Sequence, residues 1–321
     1  MTAWSEDAEN TFTKMFRKGN VLFGRRRAYL KKAAQAPFDG ICSGDITVIE
    51  AIPGKIEPEL LPFVIQNDQL FDFAVEKSAG SLSPRVKWEH LKNYTFNLPE
   101  LAEQKKLADL LWAMDAAKQA YQRLLQKTDE LVKSQFMEMF KTTDRIRLSE
   151  IAVITMGQSP SSETYNTDGL GLPFYQGSAD FGDKYVEPRM YCSSPTRLAK
   201  AGDILMSVRA PVGSVNITKR DCCIGRGLAA IRNKKYTDCN DFLLYAFRVM
   251  EQEIAAMGQG STVLSINKDK LHALVMPNAT QEQQNDFISF VRQSDKSKFE
   301  LERAISELDA TYKRIISENL G

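Results

Sequence analysis

The sequence predicts an α/β (α+β) chain in which two domains of the same fold, an internal tandem repeat, are separated by two long antiparallel helices forming a coiled coil. Three observations carry this reading. The features of the first half recur in the second in the same order. Each copy ends in a long run with helical spacing of its apolar residues. The segments before those runs mix short β-type stretches with Gly- and Pro-containing turns.

The repeat starts where Gly19-Asn-Val-Leu-Phe matches Gly202-Asp-Ile-Leu-Met, 183 residues later; the same offset carries Arg26 to Arg209, Ile41 to Ile224 and Gly44 to Gly227. Ser78-Ala-Gly-Ser-Leu-Ser and Leu91 answer to Gly258-Gln-Gly-Ser-Thr-Val and Leu271, the offset now reduced to 180 by small deletions. Leu98-Pro-Glu-Leu-Ala-Glu-Gln answers to Met276-Pro-Asn-Ala-Thr-Gln-Glu-Gln. Strand signals precede each helix: Asn20-Val-Leu-Phe and Asp45-Ile-Thr-Val-Ile in the first copy, Asp203-Ile-Leu-Met-Ser-Val and Leu228-Ala-Ala-Ile in the second.

The helical runs cover about Glu100 to Phe140 and Thr280 to Glu318, roughly 60 Å each at 1.5 Å per residue. Pro99 and Pro277 stand before them, and Glu103 and Glu282 fall in their first turns, where acidic groups favour a helix start. The spacing predicts a seam of Leu107, Leu111, Met114, Tyr121, Leu125 and Val132 against Leu301, Ile305, Leu308, Tyr312 and Ile315. Leu110, Leu124 and Leu131 recur in the first run, while Ser294 and Lys298 are polar entries in the second. The expected division is a first domain over 1–99, a central helix over 100–143, a second domain over 144–279 and a final helix over 280–321.

The first domain has only 18 residues before Gly19, against 56 between Ile146 and Gly202 in the second. It is therefore expected to be N-terminally incomplete. It lacks the counterpart of Leu148-Ser-Glu-Ile-Ala and Gly171-Leu-Pro-Phe-Tyr-Gln-Gly-Ser, and its sheet is expected to have an unpaired edge.

Composition bounds the function classes. With 321 residues, 43% apolar and 26% charged, two ordinary globular domains are expected. A net charge of +1 supplies no global attraction to nucleic acid or membrane, so any basic surface must be local. Five cysteines with no Cys-x-x-Cys pair read as reduced thiols. The N-terminus reads as no signal peptide, and no run of about 18 apolar residues is present, so a cytoplasmic chain with no membrane association is expected.

The densest basic cluster is Phe23-Gly-Arg-Arg-Arg-Ala-Tyr-Leu-Lys-Lys, whose Arg25, Arg26, Arg27, Lys31 and Lys32 are candidate phosphate or guanine contacts, though a solvated face also fits. Ser81, Ser83, Arg85 and Lys87, with Ser261 and Lys268 in the second copy, place hydroxyls and cations beside glycine, a pattern that suits phosphate and ordinary turns alike. Gln176, Ser178 and Asp180 lie on a loop able to read base edges, Arg209 is the repeat partner of Arg26, and Arg226 joins them as a candidate. His90 and His272 fall 182 residues apart and read as one shared structural place rather than a metal site. No phosphate loop, dinucleotide fingerprint, zinc-protease, nucleophile-elbow or amino-methyltransferase motif is found, so no catalytic residue and no metal ligand is assigned.

Taken in order, Gly19 to Tyr29, Ala79 to Gln104, Gly202 to Val215 and Gly258 to Gln283, with Pro-x-x-x-Glu-Gln from Pro99 and Pro-x-x-x-x-Glu-Gln from Pro277 at the helix starts, resemble the specificity subunit of Type I restriction-modification systems. The resemblance implies two target recognition domains, each reading half of a split site in double-stranded DNA, with the helices as a spacer of fixed length. It implies that the chain binds no cofactor and is not an enzyme. Type I methyltransferase (modification) subunits would use S-adenosylmethionine to methylate adenine, and restriction subunits would use ATP and Mg to translocate and cut. The alternative is a truncated, inactive or half-site-only helical adaptor that binds modification subunits.

Overall fold

A computed structural model describes residues 11–235, 240–258 and 265–320. The chain divides into two compact units, one of residues up to Leu125 together with those from Phe299 onward, the other Gln126–Lys298. Each unit takes one half of each long helix.

The first unit opens with β1 (Lys14–Phe16), β2 (Val21–Gly24), β3 (Ala33–Gln35), β4 (Gly40–Cys42) and β5 (Ile46–Ile49). Then come α1 (Leu61–Ile65), α2 (Asp68–Glu76), the hairpin β6 (Ser78–Ala79) and β7 (Arg85–Val86), α3 (Trp88–Leu91) and the long α4 (Leu101–Phe140). β2 lies between β3 and β5 in an antiparallel sheet, Val21 opposite both Gln35 and Ile49, and β1 pairs with β4. α2 starts where the Asn67 side chain accepts the Gln69 amide, and its Leu70, Phe71 and Ala74 recur on one buried face. Phe23 of β2 stacks on Phe71 at 5.3 Å, which fixes the helix on the sheet.

The second unit continues with β8 (Arg145–Arg147), α5 (Leu148–Ile151), β9 (Ala152–Met156), β10 (Tyr165–Asn166), β11 (Leu172–Tyr175), β12 (Tyr191–Cys192), β13 (Leu198–Ala199) and β14 (Ile204–Ser207). After these come β15 (Val215–Ile217), β16 (Cys222–Ile224), β17 (Leu228–Asn233), α6 (Asn240–Val249), α7 (Glu251–Ala256), α8 (Lys268–Ala273), β18 (Val275–Pro277) and the long α9 (Gln281–Leu320). Its sheets run β15-β14-β17-β9 and β10-β12-β11-β16-β13, with β18 paired to β8. Alternation along β14 and β17 sends Ile204, Met206, Ala229 and Ile231 into a core shared with α6 and α9, and Leu205, Leu228 and Ala230 into a second core with Tyr175 and Ile224. The four-stranded sheet is therefore buried on both faces.

The repeat is repeated in hydrogen bonds. Gly19 N donates to Ala36 O and Gly202 N to Thr218 O, each at 2.8 Å, while Arg17 N to Asn20 Oδ1 and Lys200 N to Asp203 Oδ2 are both 2.7 Å. One expected register is corrected. From β3 to β5 the offset is 182, since Gln35 opposite Val21 corresponds to Ile217 opposite Ile204, so Gly227 corresponds to Asp45 rather than Gly44, and Ile41 to Cys223. The extra residue of the first copy sits in the basic loop after β2, where Gly24 N donates to Lys32 O and Ser207 N to Ser214 O. Likewise Asn267 and Lys87 precede corresponding helices, which puts His90 opposite Lys270, and the two histidines share no place.

Among the described residues β5 is an edge strand, whereas its counterpart β17 is internal, flanked by β14 and β9. Beyond strand pairing, a buried glutamine at offset 180, Gln104 in the first copy and Gln284 in the second, ties each helix start to its domain. Buried Gln104 donates to Pro99 O at 2.8 Å and Lys55 O at 3.2 Å and accepts Glu57 N at 2.9 Å, while Gln284 donates to Ala279 O at 3.1 Å. Thr280 and Gln283 form a reciprocal capping box at the start of α9.

Within each unit the two helix halves pack antiparallel. In the first, Leu107, Ala108 and Leu111 share a core with Ile316 and Leu320; in the second, Phe136 and Phe140 share one with Phe287, Ile288 and Val291. Of the expected seam, Leu107 and Leu111 are buried and Met114, Tyr121, Leu125, Val132, Leu301, Ile305, Leu308, Tyr312 and Ile315 are half-buried. The polar entries are satisfied: the Ser294 hydroxyl donates to Phe290 O, and Lys298 pairs with Asp129 at 2.7 Å. Its repeat counterpart in the first unit, Lys118 with Asp309, is 2.5 Å long. Lys118→Asp is expected to destabilise by about 0.5–1 kcal/mol, and Lys118→Asp with Asp309→Lys to restore most of it. Urea unfolding of the two variants beside the wild type checks this.

Candidate nucleic-acid interface

In the first unit β2 delivers the chain into the basic loop. Arg27 and Lys31 take the left-handed conformation, with φ of 54° and 47°, and bracket one tight turn, Ala28–Leu30. Buried Ala28 anchors that turn and leaves Tyr29 and Leu30 exposed. Backbone strain in non-glycine residues persists where surrounding contacts over-determine it. Here Arg27 N donates to Pro84 O at 2.7 Å and Val86 N to Arg25 O at 3.1 Å, so the loop is bonded to the β6–β7 hairpin.

The hairpin and loop bring Arg25, Arg26, Arg27, Ser83 and Arg85 together. Arg26 Nε donates to Ser83 Oγ at 2.6 Å, and Arg26 faces Arg85 across an isolated antiparallel bridge. Several of the charges are already engaged. The Arg25 guanidinium donates to Gly44 O, Arg85 grips Asp45 through two bonds of 2.8 and 3.2 Å, and Lys31 pairs with Asp68 at 2.6 Å. Arg26, Arg27, Lys32 and Lys87 are exposed and have no ion-pair partner among the described residues, and Ser81 stands exposed beside them. No sequence signal separates the neutralised cations from the available ones, because Asp45 and Asp68 lie far off along the chain.

The hydrogen bond from Arg85, with the charges of Arg26 and Arg25 adding to it, holds the Asp45 carboxyl below the usual carboxylate range. A folded-state pKa below the unfolded one stabilises fully above about pH 4 and loses that contribution as pH falls through the folded value. Thermal unfolding of wild type and Asp45→Asn between pH 6 and 3 is therefore expected to show a gap that closes as acid is added.

The second unit repeats this geometry. Ile266 N donates to Val208 O at 2.9 Å, as Val86 does to Arg25, and Arg209 faces Ser265 across an antiparallel bridge, as Arg26 faces Arg85. Val208 N donates to Gly227 O at 2.9 Å and Gly225 N to Tyr175 O at 2.8 Å, drawing the loops of Gln176, Arg209 and Arg226 to one end of the sheets. Glycine makes this approach possible. A Cβ on Gly227 would stand 2.3 Å from Gln176 O, and one on Gly157 2.1 Å from Gly225 O.

Gln176, Arg209, Arg226 and Lys268 are exposed, Ser178 is half-buried, and Ser261 lies outside the described residues. The three cations have no ion-pair partner among the described residues. Lys268 opens α8, whose start is capped by the Asn267 side chain. Sequence reasoning passed over Arg189 and Ser159, and it expects in Asp180 a base-edge reader, whereas the structure turns that carboxylate to its own loop. Asp180 accepts the Gln176 amide at 3.1 Å and both Nε and Nη2 of Arg189, at 3.0 and 2.8 Å, while Ser159 Oγ accepts the Arg226 amide at 3.3 Å. These bonds fix the backbone that carries Gln176 and Arg226.

Cys42, Cys192, Cys222 and Cys223 are buried free thiols, and burial pushes Cys222 up to about 12; Cys239 lies outside the described residues. Among the described residues no group of three or more His, Cys, Asp or Glu could hold a metal ion, and no helix is long and apolar enough to cross a membrane.

Comparison with known proteins bears on this arrangement. The profile of the family described as "Type I restriction modification DNA specificity domain" matches residues 4–128 and 141–308. A putative type I restriction enzyme MjaX specificity subunit of Methanocaldococcus jannaschii is 31% identical over 254 residues, 72% of this chain and 59% of that protein. The Type I restriction enzyme EcoDI specificity subunit of Escherichia coli is 24% identical over 140 residues, 42% of this chain and 31% of that protein. The chain thus matches less than two thirds of the length of either curated relative. Among solved structures, a chain from a study of complex assembly and conformational transition of the type I R-M system superposes with a TM-score of 0.73 at 33% identity, covering 97% of this chain and 84% of that one. The HsdS subunit from Thermoanaerobacter tengcongensis gives a TM-score of 0.53 at 34% identity, covering 97% and 83%.

Proposed function

Because the chain belongs to the Type I restriction-modification DNA specificity family, we propose that it reads a bipartite site in double-stranded DNA through the loop clusters of its two units, as target recognition domains over 1–99 and 144–279. The observation that carries this reading is the repeated bridge. Arg26–Arg85 and Arg209–Ser265 occupy the same place in each unit, beside exposed unpaired cations. Such cations contact phosphate, and Gln176 and Arg226, held by Asp180 and Ser159, have the side chains that read adenine and guanine bidentately.

The long helices supply the spacer and the scaffold. Leu110 and Leu131 of α4 are 47% and 52% exposed and lie a multiple of seven residues apart, a spacing that suits a partner helix face. We assign that face to modification subunits, which carry S-adenosylmethionine chemistry, with ATP-dependent restriction subunits joining them in the cytoplasm. Catalysis is theirs, and this chain contributes the address.

Binding of cognate and scrambled duplexes tests the reading. Gln176→Ala and Arg226→Ala are expected to lower discrimination by about 1–3 kcal/mol each. Lys268→Ala is expected to weaken all sequences alike and reduce the salt slope by about one. Equal affinity of the wild-type complex for cognate and scrambled DNA would overturn it.

A further inference from the structure

Leu82 is the most exposed large apolar side chain among those of the described residues, at 91%, and it sits at the tip of the β6–β7 hairpin between Ser81 and Ser83. A single exposed leucine is ordinary on a protein surface. This one differs in its mounting. The hairpin that carries it is held at Ser83 by Arg26, at Pro84 by the Arg27 amide, at Arg85 by Asp45, at Val86 by Arg25 O and at Ser78 by its hydroxyl bond of 2.6 Å to Ala74 O. The tip is thus a fixed projection rather than a loose loop.

Its surroundings are cationic and hydroxylic. Exposed Arg26, Arg27 and Lys87 and the Ser81 hydroxyl belong to the same loop and hairpin, and these groups suit phosphates on either side of an inserted apolar residue. Leucine is among the side chains that enter between base pairs, unstacking a step and kinking the duplex by about 20–90°. We propose that Leu82 is an apolar wedge that inserts into a base step of the half-site read by the first unit. This rests on the DNA-reading function above. Being held by backbone and side-chain bonds, the wedge gives a preference for flexible pyrimidine–purine steps without a hydrogen bond to any base.

The test uses the full chain assembled with its modification subunits and duplexes carrying 2-aminopurine at successive positions across the half-site. The wild type is expected to brighten one step apart from the methylated adenine. Leu82→Ser is expected to lose that signal and about tenfold in affinity, with an unchanged melting temperature, and Leu82→Met to keep it. Persistence of the signal in Leu82→Ser would overturn the wedge, as would sequence-selective binding by the wild type with no step brightened. Absence of sequence-selective binding at this half-site would instead remove the DNA-reading role of the first unit, and the wedge with it.

Discussion

Phe287→Ala is expected to cost about 3–5 kcal/mol and to collapse the core where α9 meets the second unit. Phe287 is fully buried, and its ring lies 5.3 Å from Phe136, 5.8 Å from Phe140 and 6.2 Å from Phe242, mostly edge to face. Four aromatic rings from α4, α6 and α9 therefore close on one another, and removing the central one leaves a cavity that three stiff rings cannot fill by rotation. Phe299→Ala, on the same helix but 61% exposed, is expected to stay within about 0.5 kcal/mol of wild type. Denaturant unfolding of both variants separates burial from helix propensity, since the two substitutions are identical.

Gly227→Ala is expected to remove sequence discrimination by the second unit while leaving the first intact. The added Cβ meets Gln176 O, a backbone atom that cannot rotate away, so the loops of Gln176 and Arg226 must part, at about 1–3 kcal/mol or more. Both residues would then lose their common footing, and a misplaced bidentate contact forfeits its discrimination. Gly44→Ala, which faces open space, is expected to be neutral. Competition binding with duplexes altered in one half-site at a time checks both outcomes.

The large features were legible in the sequence because they are periodic or repeated. Two copies of one order of motifs gave the tandem fold, and three-and-four spacing gave the long helices, observed as Leu101–Phe140 and Gln281–Leu320. Fine register was not legible, since a one-residue difference within the basic loop looks the same as one before or after it until the strands pair. For that reason the sequence pairs Gly44 with Gly227 where the structure puts Asp45; pairing His90 with His272 instead departs from the offset of 180 that Leu91 and Leu271 share, which puts Lys270 there. At the helix ends, Phe136, Phe140, Ile316 and Leu320 are buried against the units, whereas Leu110 and Leu131, equally apolar, are about half exposed. Spacing alone does not distinguish a seam from a second stripe on the same helix.

The candidate interface was legible in part. Clustered Arg and Lys marked the right loops, and the repeat linked Arg26 to Arg209. Which cations are spent on carboxylates depends on contacts such as Arg85–Asp45, which are long-range and invisible to local pattern. The same holds for Ser159, which is far from Arg226 along the chain and acts on the backbone of that reader rather than toward a ligand.

The central claim is that this chain sets the address at which its partners act. It is tested most directly by expressing it with its modification subunits and mapping methylated adenines across a genome by single-molecule sequencing, beside the Gly227→Ala variant. The account predicts two short half-sites at a fixed gap, with one half-site relaxed in the variant. A motif that persists without this chain, or no motif when the assembled complex is present, would contradict it.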